Sequence, residues 1–198
     1  MIARHRPAAI VARTCEMIYE VLVAFAAAVT KGETLPIVSP HNLPPGCHDL
    51  KKVDKSYIGH VRPPSTLKVE AAQCRAFVNA IGETNPIYQD IGAARKAGFR
   101  DIPIPPTYLF CLQMMSSEKS YALYRELGID VGRLLHGEQG FKYHMPVHVG
   151  DSLTFRLKIL DILDKKDGAM TLIVQQIRVE NGEGFHVADL DLTTIVRN

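Results

Sequence analysis

No C-x-x-C pair occurs among the four cysteines, Cys15, Cys47, Cys74 and Cys111. Their wide separation excludes a disulfide framework and a thiolate zinc site, and fits a reducing, cytoplasmic setting. No basic stripe is present either. The formal net charge is +2, with Lys and Arg scattered along the chain, so a phosphate backbone finds no footprint and nucleic acid is not an expected partner. No uninterrupted apolar run reaches spanning length. The nearest candidate, Ile10 to Val29, is broken by Arg13, Glu16 and Glu20, which are costly at a bilayer centre. The same acidic residues argue against a signal peptide, although Ala26, Ala27 and Ala28 supply small residues. His41, Cys47 and His48 gather loosely in a Pro-rich stretch without the spacing of a metal site, so neither metal nor cofactor is expected.

What is present is enough apolar sequence for one core: of 198 residues, 46% are hydrophobic and 22% charged. Three regions follow. Residues 1–34 read as an N-terminal helical extension, with Val11, Cys15, Ile18, Leu22 and Phe25 at helical spacing. Residues 35–56 form a linker, where Pro36, Pro40, Pro44, Pro45 and Gly46 oppose regular structure. Residues 57–198 form the folded domain.

Inside the domain, Ser65 to Val69 reads as a first strand and Glu70 to Ile81 as a helix, with Cys74, Phe77, Val78 and Ile81 on one face and Gly82 as the stop. Asp90 can cap a short helix that runs to Gly98. Pro103, Pro105 and Pro106 enforce extended chain before Thr107, which can cap an uncharged helix through Tyr108, Leu109, Leu112 and Met115. A more polar helix is predicted from Ser117 to Leu127. The remainder is strand-like: Leu134 to His144, Ser152 to Leu163, Ala169 to Glu180 and Phe185 to Arg197, the last three joined as hairpins. Ala188, Leu190, Leu192, Thr194 and Val196 share one face of the final strand. A buried helix followed by an antiparallel meander is an α+β arrangement in which the sheet wraps around the central helix, and a hot-dog roll matches it best. Its exposed edges call for pairing, so a dimer is expected.

The stretch Phe77 to Tyr88, F-V-N-A-I-G-E-T-N-P-I-Y, resembles the signature of MaoC-like dehydratases and (R)-specific enoyl-CoA hydratases, Gly-Asp-x-Asn-Pro-aliphatic-His. Gly82, Asn85, Pro86 and Ile87 match, as do Ala93 and Ala94 on the next helix. The family's catalytic Asp and His positions hold Glu83 and Tyr88. His136-Gly137-Glu138-Gln139, Phe141, Tyr143-His144, Pro146 and Gly150-Asp151, together with Pro105-Pro106-Thr107-Tyr108, resemble the domain type found as the N-terminal half of double hot-dog dehydratases. The resemblance covers about Tyr57 to Arg197. It implies a fatty acyl thioester of CoA or acyl carrier protein as ligand, and either a homodimer or a heterodimer with a catalytic MaoC-like chain carrying the Asp/His pair. Because the sequence stops after the last strand, such a half is expected on another polypeptide.

The two substitutions have chemical consequences. Histidine titrates near pH 6.5, whereas tyrosine stays protonated to about 10, so Tyr88 donates a hydrogen bond but does not readily take a proton. Glu83 keeps a carboxylate one methylene longer, and reacting groups must come within about 3.5 Å. Gly82 to Pro86 also reads simply as a helix stop and a turn. Asn85, Pro106, Thr107, His136, Gly137 and Glu138 are the candidate substrate-binding residues, with backbone N–H donors after Thr107 suited to a thioester carbonyl. Phe110, Met114 and Met115 either line an acyl tunnel or are ordinary core. Four functions stay open: an acyl-thioester-binding subunit, a self-sufficient hydratase using Glu83, a thioesterase using Glu83 or Glu138, and a non-enzymatic acyl-binding module.

Overall fold

The computed structural model describes residues 52–116 and 121–198. The expected N-terminal helix, most of the Pro-rich linker, and His41, Cys47 and His48 lie outside the described residues. Among the described residues five strands form one antiparallel sheet: β1 (Ser65–Lys68), β2 (Leu134–Tyr143), β3 (Ser152–Lys165), β4 (Met170–Asn181) and β5 (His186–Arg197). Their order is β1-β3-β4-β5-β2, so β3, β4 and β5 are the consecutive hairpins read from the sequence. β2 crosses to the far side and pairs with β5 rather than with its sequence neighbour β3. Among the described residues four α-helices accompany the sheet: α1 (Ala71–Ala80), α2 (Ile91–Lys96), α3 (Tyr108–Ser116) and α4 (Ala122–Glu126).

The local signals act where expected. α1 ends at Gly82, whose φ of +66° is open to glycine at no steric cost, and the Glu83 N–H donates back to the Val78 carbonyl at 3.0 Å. Asp90 caps α2 by accepting from the Ala93 N–H at 2.7 Å. α3 buries Tyr108, Leu109, Phe110, Cys111, Leu112 and Ser116, which is why this helix carries no charge. The sheet curls around it, and Leu109 and Leu112 have no exposed surface at all. One core cluster joins α1 and α3 to the near half of the sheet, where the Phe77 and Tyr108 rings lie 4.7 Å apart. A second gathers Val53, Leu123, Ile129, Ile159, Ile162, Ile173 and Val196 at the other end.

One expectation needs correction. Of the polar helix predicted from Ser117 to Leu127, residues 117–120 lie outside the described residues; Ala122–Glu126 forms the short α4, and Tyr121, in the left-handed region at φ 63°, is not part of a helix. In β3 the alternation of Leu153, Phe155, Leu157 and Ile159 holds as read, and beyond it the register slips by one at a bulge between Ile159 and Asp161. Leu160 stays outward, 41% exposed, and past the bulge Ile162 rather than Asp161 takes the inward position. Among the described residues no helix is long and apolar enough to cross a membrane.

A buried histidine makes stability depend on pH. His148, 4% exposed, sits edge-on to Phe99 with neither ring nitrogen hydrogen-bonded, its Nδ1 3.8 Å from an Asp151 oxygen. Burial, and then the Arg100 charge, hold its pKa below 6.5, against the opposing pull of Asp151 and Asp101. The unfolded chain takes up a proton near pH 6.5 and the folded chain resists it. Stability from this group is therefore complete above about pH 6.5 and declines as pH falls toward the folded value. Calorimetric Tm measured from pH 7.5 down to 5.5 should fall more steeply for the parent than for His148→Leu; parallel lines would show that His148 protonates as freely folded as unfolded.

Candidate functional site

The turn after α1 is locked by its own side chains. Glu83 Oε1 accepts the Asn85 N–H at 2.8 Å, Asn85 Oδ1 accepts the Ile87 N–H at 3.2 Å, and Gln89 Nε2 donates to the Glu83 carbonyl at 2.9 Å. Pro86 then starts a single 3-10 turn that ends at Tyr88. This geometry seats Tyr88, half-buried, against the main core. Burial, and secondarily the nearby Glu83 charge, push the Tyr88 phenol above its usual pKa.

Opposite Tyr88 stands the end of β2. The Tyr143 hydroxyl donates to the Pro106 carbonyl just before α3. Burial, and then the neighbouring Tyr88, raise the Tyr143 phenol as well. Tyr88, Phe99, Ile104, Pro106, Tyr143 and Met145 line a cavity of about 380 Å³, a volume within the range of small-molecule sites. Two phenols thus converge on one apolar cavity, both protonated near neutrality. They are hydrogen-bond donors and poor bases. Thr107 follows directly, but the N–H groups of Tyr108 and Phe110 are already taken by the Pro105 and Thr107 carbonyls at 2.9 and 3.2 Å. Those two donors are therefore engaged within the helix start.

The other candidates lie elsewhere. His136, Gly137 and Glu138 sit at a β2 bulge, where the register passes from His136 opposite Thr194 to Glu138 opposite Thr193. The His136 ring stands edge-on to Phe110 of α3, with centroids 5.2 Å apart, and Glu138 is exposed. These three residues line neither the smaller cavity nor a larger one of about 640 Å³ at the other end of α3. Of the eight candidate residues, the structure brings Tyr88 and Pro106 together at a cavity, places Glu83 and Asn85 in the adjoining turn, and separates the β2 trio. Met114 borders the larger cavity, whereas Phe110 is core, 5% exposed.

Sequence reading did not single out Phe99 or Met145, nor Gln175 on the larger cavity. For Gln175 a signal existed: a polar residue in phase with Ile173, Ile177 and Val179 on an inward strand face. Among the described residues one further cluster offers metal-ligating atoms. His144 Nε2 and His186 Nε2 each lie 2.9 Å from a different oxygen of Asp189. Burial alone would raise the Asp189 carboxyl, but the two imidazole hydrogen bonds outweigh it and hold the pKa below the usual value. The trio ties the chain after β2 to β5.

Comparison with known proteins agrees with this architecture. The family model described as FAS1-like, dehydratase domain region, matches residues 56–190. A UPF0336 protein of Thermobifida fusca is 32% identical over 146 residues, covering 73% of this chain and 94% of its own length. One from Clavibacter michiganensis subsp. michiganensis is 37% identical over 123 residues, 62% of this chain and 80% of its own. Among solved structures, a chain of the C-terminally truncated HadBC (3R-hydroxyacyl-ACP dehydratase) complex from Mycobacterium tuberculosis superposes with a TM-score of 0.61 at 25% identity, covering 70% of this chain and 96% of that one. The MaoC-like dehydratase from Rhodospirillum rubrum, at 21% identity and a TM-score of 0.56 over 71% of this chain and 92% of that one, shares the fold. With a sheet curled around α3, a Gly82–Pro86 turn beside the cavity and a family model spanning nearly all of the domain, the chain belongs to the FAS1-like dehydratase domain family of hot-dog proteins.

Proposed function

We propose that this chain is the acyl-thioester-holding subunit of an enoyl-thioester hydratase or 3-hydroxyacyl dehydratase, and that a second hot-dog chain supplies the acid–base pair. The observation that carries the reading is Tyr88. Where the chemistry requires a group that takes and returns a proton near pH 7, the cavity presents a phenol whose pKa is raised further by burial. A second phenol, Tyr143, shares the same cavity and is equally unsuited to act as a base. The remaining carboxylate, Glu83, already accepts the Asn85 N–H and helps to hold the turn. Tyr88, Pro106 and the turn residues Glu83 and Asn85 then shape the acyl site, and His136, Gly137 and Glu138 support β2, whose outer edge carries no partner strand among the described residues. That edge suits pairing with a second copy or a related chain. The HadBC and ChsH1-ChsH2 structures, both similar in fold to this chain, are complexes.

The test is crotonyl-CoA hydration, followed by loss of enoyl absorbance, by the pure chain and by the chain with the companion that co-purifies from its native host. The companion is expected to raise the rate by about a hundredfold or more, the scale of a positioned general base. Full activity from the pure chain, or the absence of any companion, would overturn the subunit reading. Glu83→Gln, which keeps an oxygen for the Asn85 N–H, should leave the rate of the pair within about twofold. Abolished turnover would instead establish Glu83 as the base of a self-sufficient hydratase. Release of free CoA from the thioester would identify a thioesterase.

A further inference from the structure

The two cavities lie at opposite ends of α3. The larger, about 640 Å³, opens between the last turn of α3, α4 and the inner face of the sheet. Phe155, Ile177, Leu192 and Met114 give it an apolar wall, and Gln175 and Tyr124 are polar members of the same lining. Gln175 is 1% exposed, which is unusual for a primary amide on an inward strand face. Its Nε2 donates to Tyr124 Oη and to Thr194 Oγ1, both at 3.2 Å, and the two hydroxyl oxygens are 2.7 Å apart.

Counting hydrogens shows what this triad leaves over. The amide nitrogen brings two and each hydroxyl brings one, and the three contacts use three of the four. Reversing the amide would leave only the two hydroxyl hydrogens for three contacts, so the orientation with Nε2 toward the hydroxyls is the one that satisfies them. The fourth hydrogen, on whichever hydroxyl does not donate within the pair, has no acceptor among the described residues. Gln175 Oε1 also has no partner and is shielded from bulk solvent, and so is Oε1 of Gln113 on the same cavity. Unpaired acceptors and one spare donor therefore meet at a cavity whose sheet side, Phe155, Leu157, Ile177 and Leu192, is hydrocarbon, while Arg62, Ser65, Thr66 and Glu126 add a polar side. A ligand hydroxyl supplies both complements. A carboxylate brings acceptors only and leaves the Gln175 oxygen unpaired, and the Arg62 guanidinium in the lining is already paired with Glu126 at 3.1 Å; an ether cannot donate.

We propose that the larger cavity binds the hydroxyl-bearing end of an aliphatic molecule, with Gln175 Oε1 accepting from the ligand hydroxyl and the spare hydrogen of the Tyr124–Thr194 pair donated to it. Two sources share this chemistry: a free alcohol, or the distal end of a hydroxylated acyl thioester. The second rests on the proposed function. α3 is about 13 Å long at 1.5 Å per residue, the reach of an acyl chain of roughly ten carbons.

Because the chain has no tryptophan, calorimetric titration is the direct measurement. One arm compares 1-octanol with its isomer 1-methoxyheptane, which accepts but does not donate. The other compares 10-hydroxydecanoyl-CoA with undecanoyl-CoA, equal in heavy atoms along the chain. The hydroxyl compound is expected to bind about tenfold more tightly within a pair, with the preference lost in Gln175→Leu and reduced in Tyr124→Phe. A preference in the thioester arm makes the hydroxyl the far end of an acyl chain. A preference for octanol with no binding of either thioester supports the cavity assignment while overturning the proposed function. No preference in either arm, or one unchanged in both variants, overturns the assignment. If Gln175→Leu does not fold, Tyr124→Phe, which keeps the packing of the ring, decides alone.

Discussion

Replacing Leu112 by alanine should lower the unfolding free energy by about 2–5 kcal/mol, the range for emptying a fully packed leucine site. Leu112 has no exposed surface and belongs to the cluster in which α3 meets α1 and the inner faces of β3, β4 and β5. Neighbours on several elements would have to move together to refill the space, so a loss in the upper half of the range is expected. Chemical denaturation should show a lower midpoint at unchanged slope. Leu160→Ala is the matched control, because that leucine lies on the outward face of β3, 41% exposed, and its effect should stay within about 0.5 kcal/mol. Equal losses at the two sites would mean that α3 is not the centre of the core.

Gly137→Ala should cost about 1–3 kcal/mol, although it adds a single methyl group. A Cβ at Gly137 would stand 2.9 Å from both the Thr193 carbonyl and Ile195 Cγ1, a closer approach than real side chains make, and the carbonyl belongs to the paired backbone of β5. The strain would fall on the bulge that sets the β2 register. At Gly140, further along the strand, the added Cβ would meet Asp191 Cβ at 3.4 Å, an ordinary contact, so Gly140→Ala should be milder. Because β2 is an edge strand, the Gly137 variant should also show faster amide exchange along Leu134–Tyr143 than along β4. If the companion chain pairs at this edge, its affinity should fall in the same variant. A Gly137→Ala protein as stable as its parent would show that the bulge opens without strain.

Part of the candidate site was legible because its signals are local. Gly82, Asn85, Pro86 and Asp90 act on neighbours within a few residues, through a left-handed turn and side-chain caps, and each does so in the structure. The replacement of an imidazole by Tyr88 is a statement about residue type and needs no coordinates. The positions of His136, Gly137 and Glu138 were a different matter. A motif places them on one strand, but which helix they face depends on where that strand pairs, and β2 brings His136 against Phe110 rather than into either cavity.

Periodicity and turn chemistry in the sequence were sufficient for the α+β class, the uncharged central helix, the three consecutive hairpin strands and the inward face of β5, since each depends on alternation or on turn residues close in the chain. Packing between distant segments was needed for the rest. It set the crossing of β2 to the edge beside β5, the slip at Leu160, the meeting of Tyr88 with Tyr143, and the triad of Tyr124, Gln175 and Thr194. Those features join side chains from separate elements, and their hydrogen-bonding partners are chosen by which faces the sheet and α3 bury together.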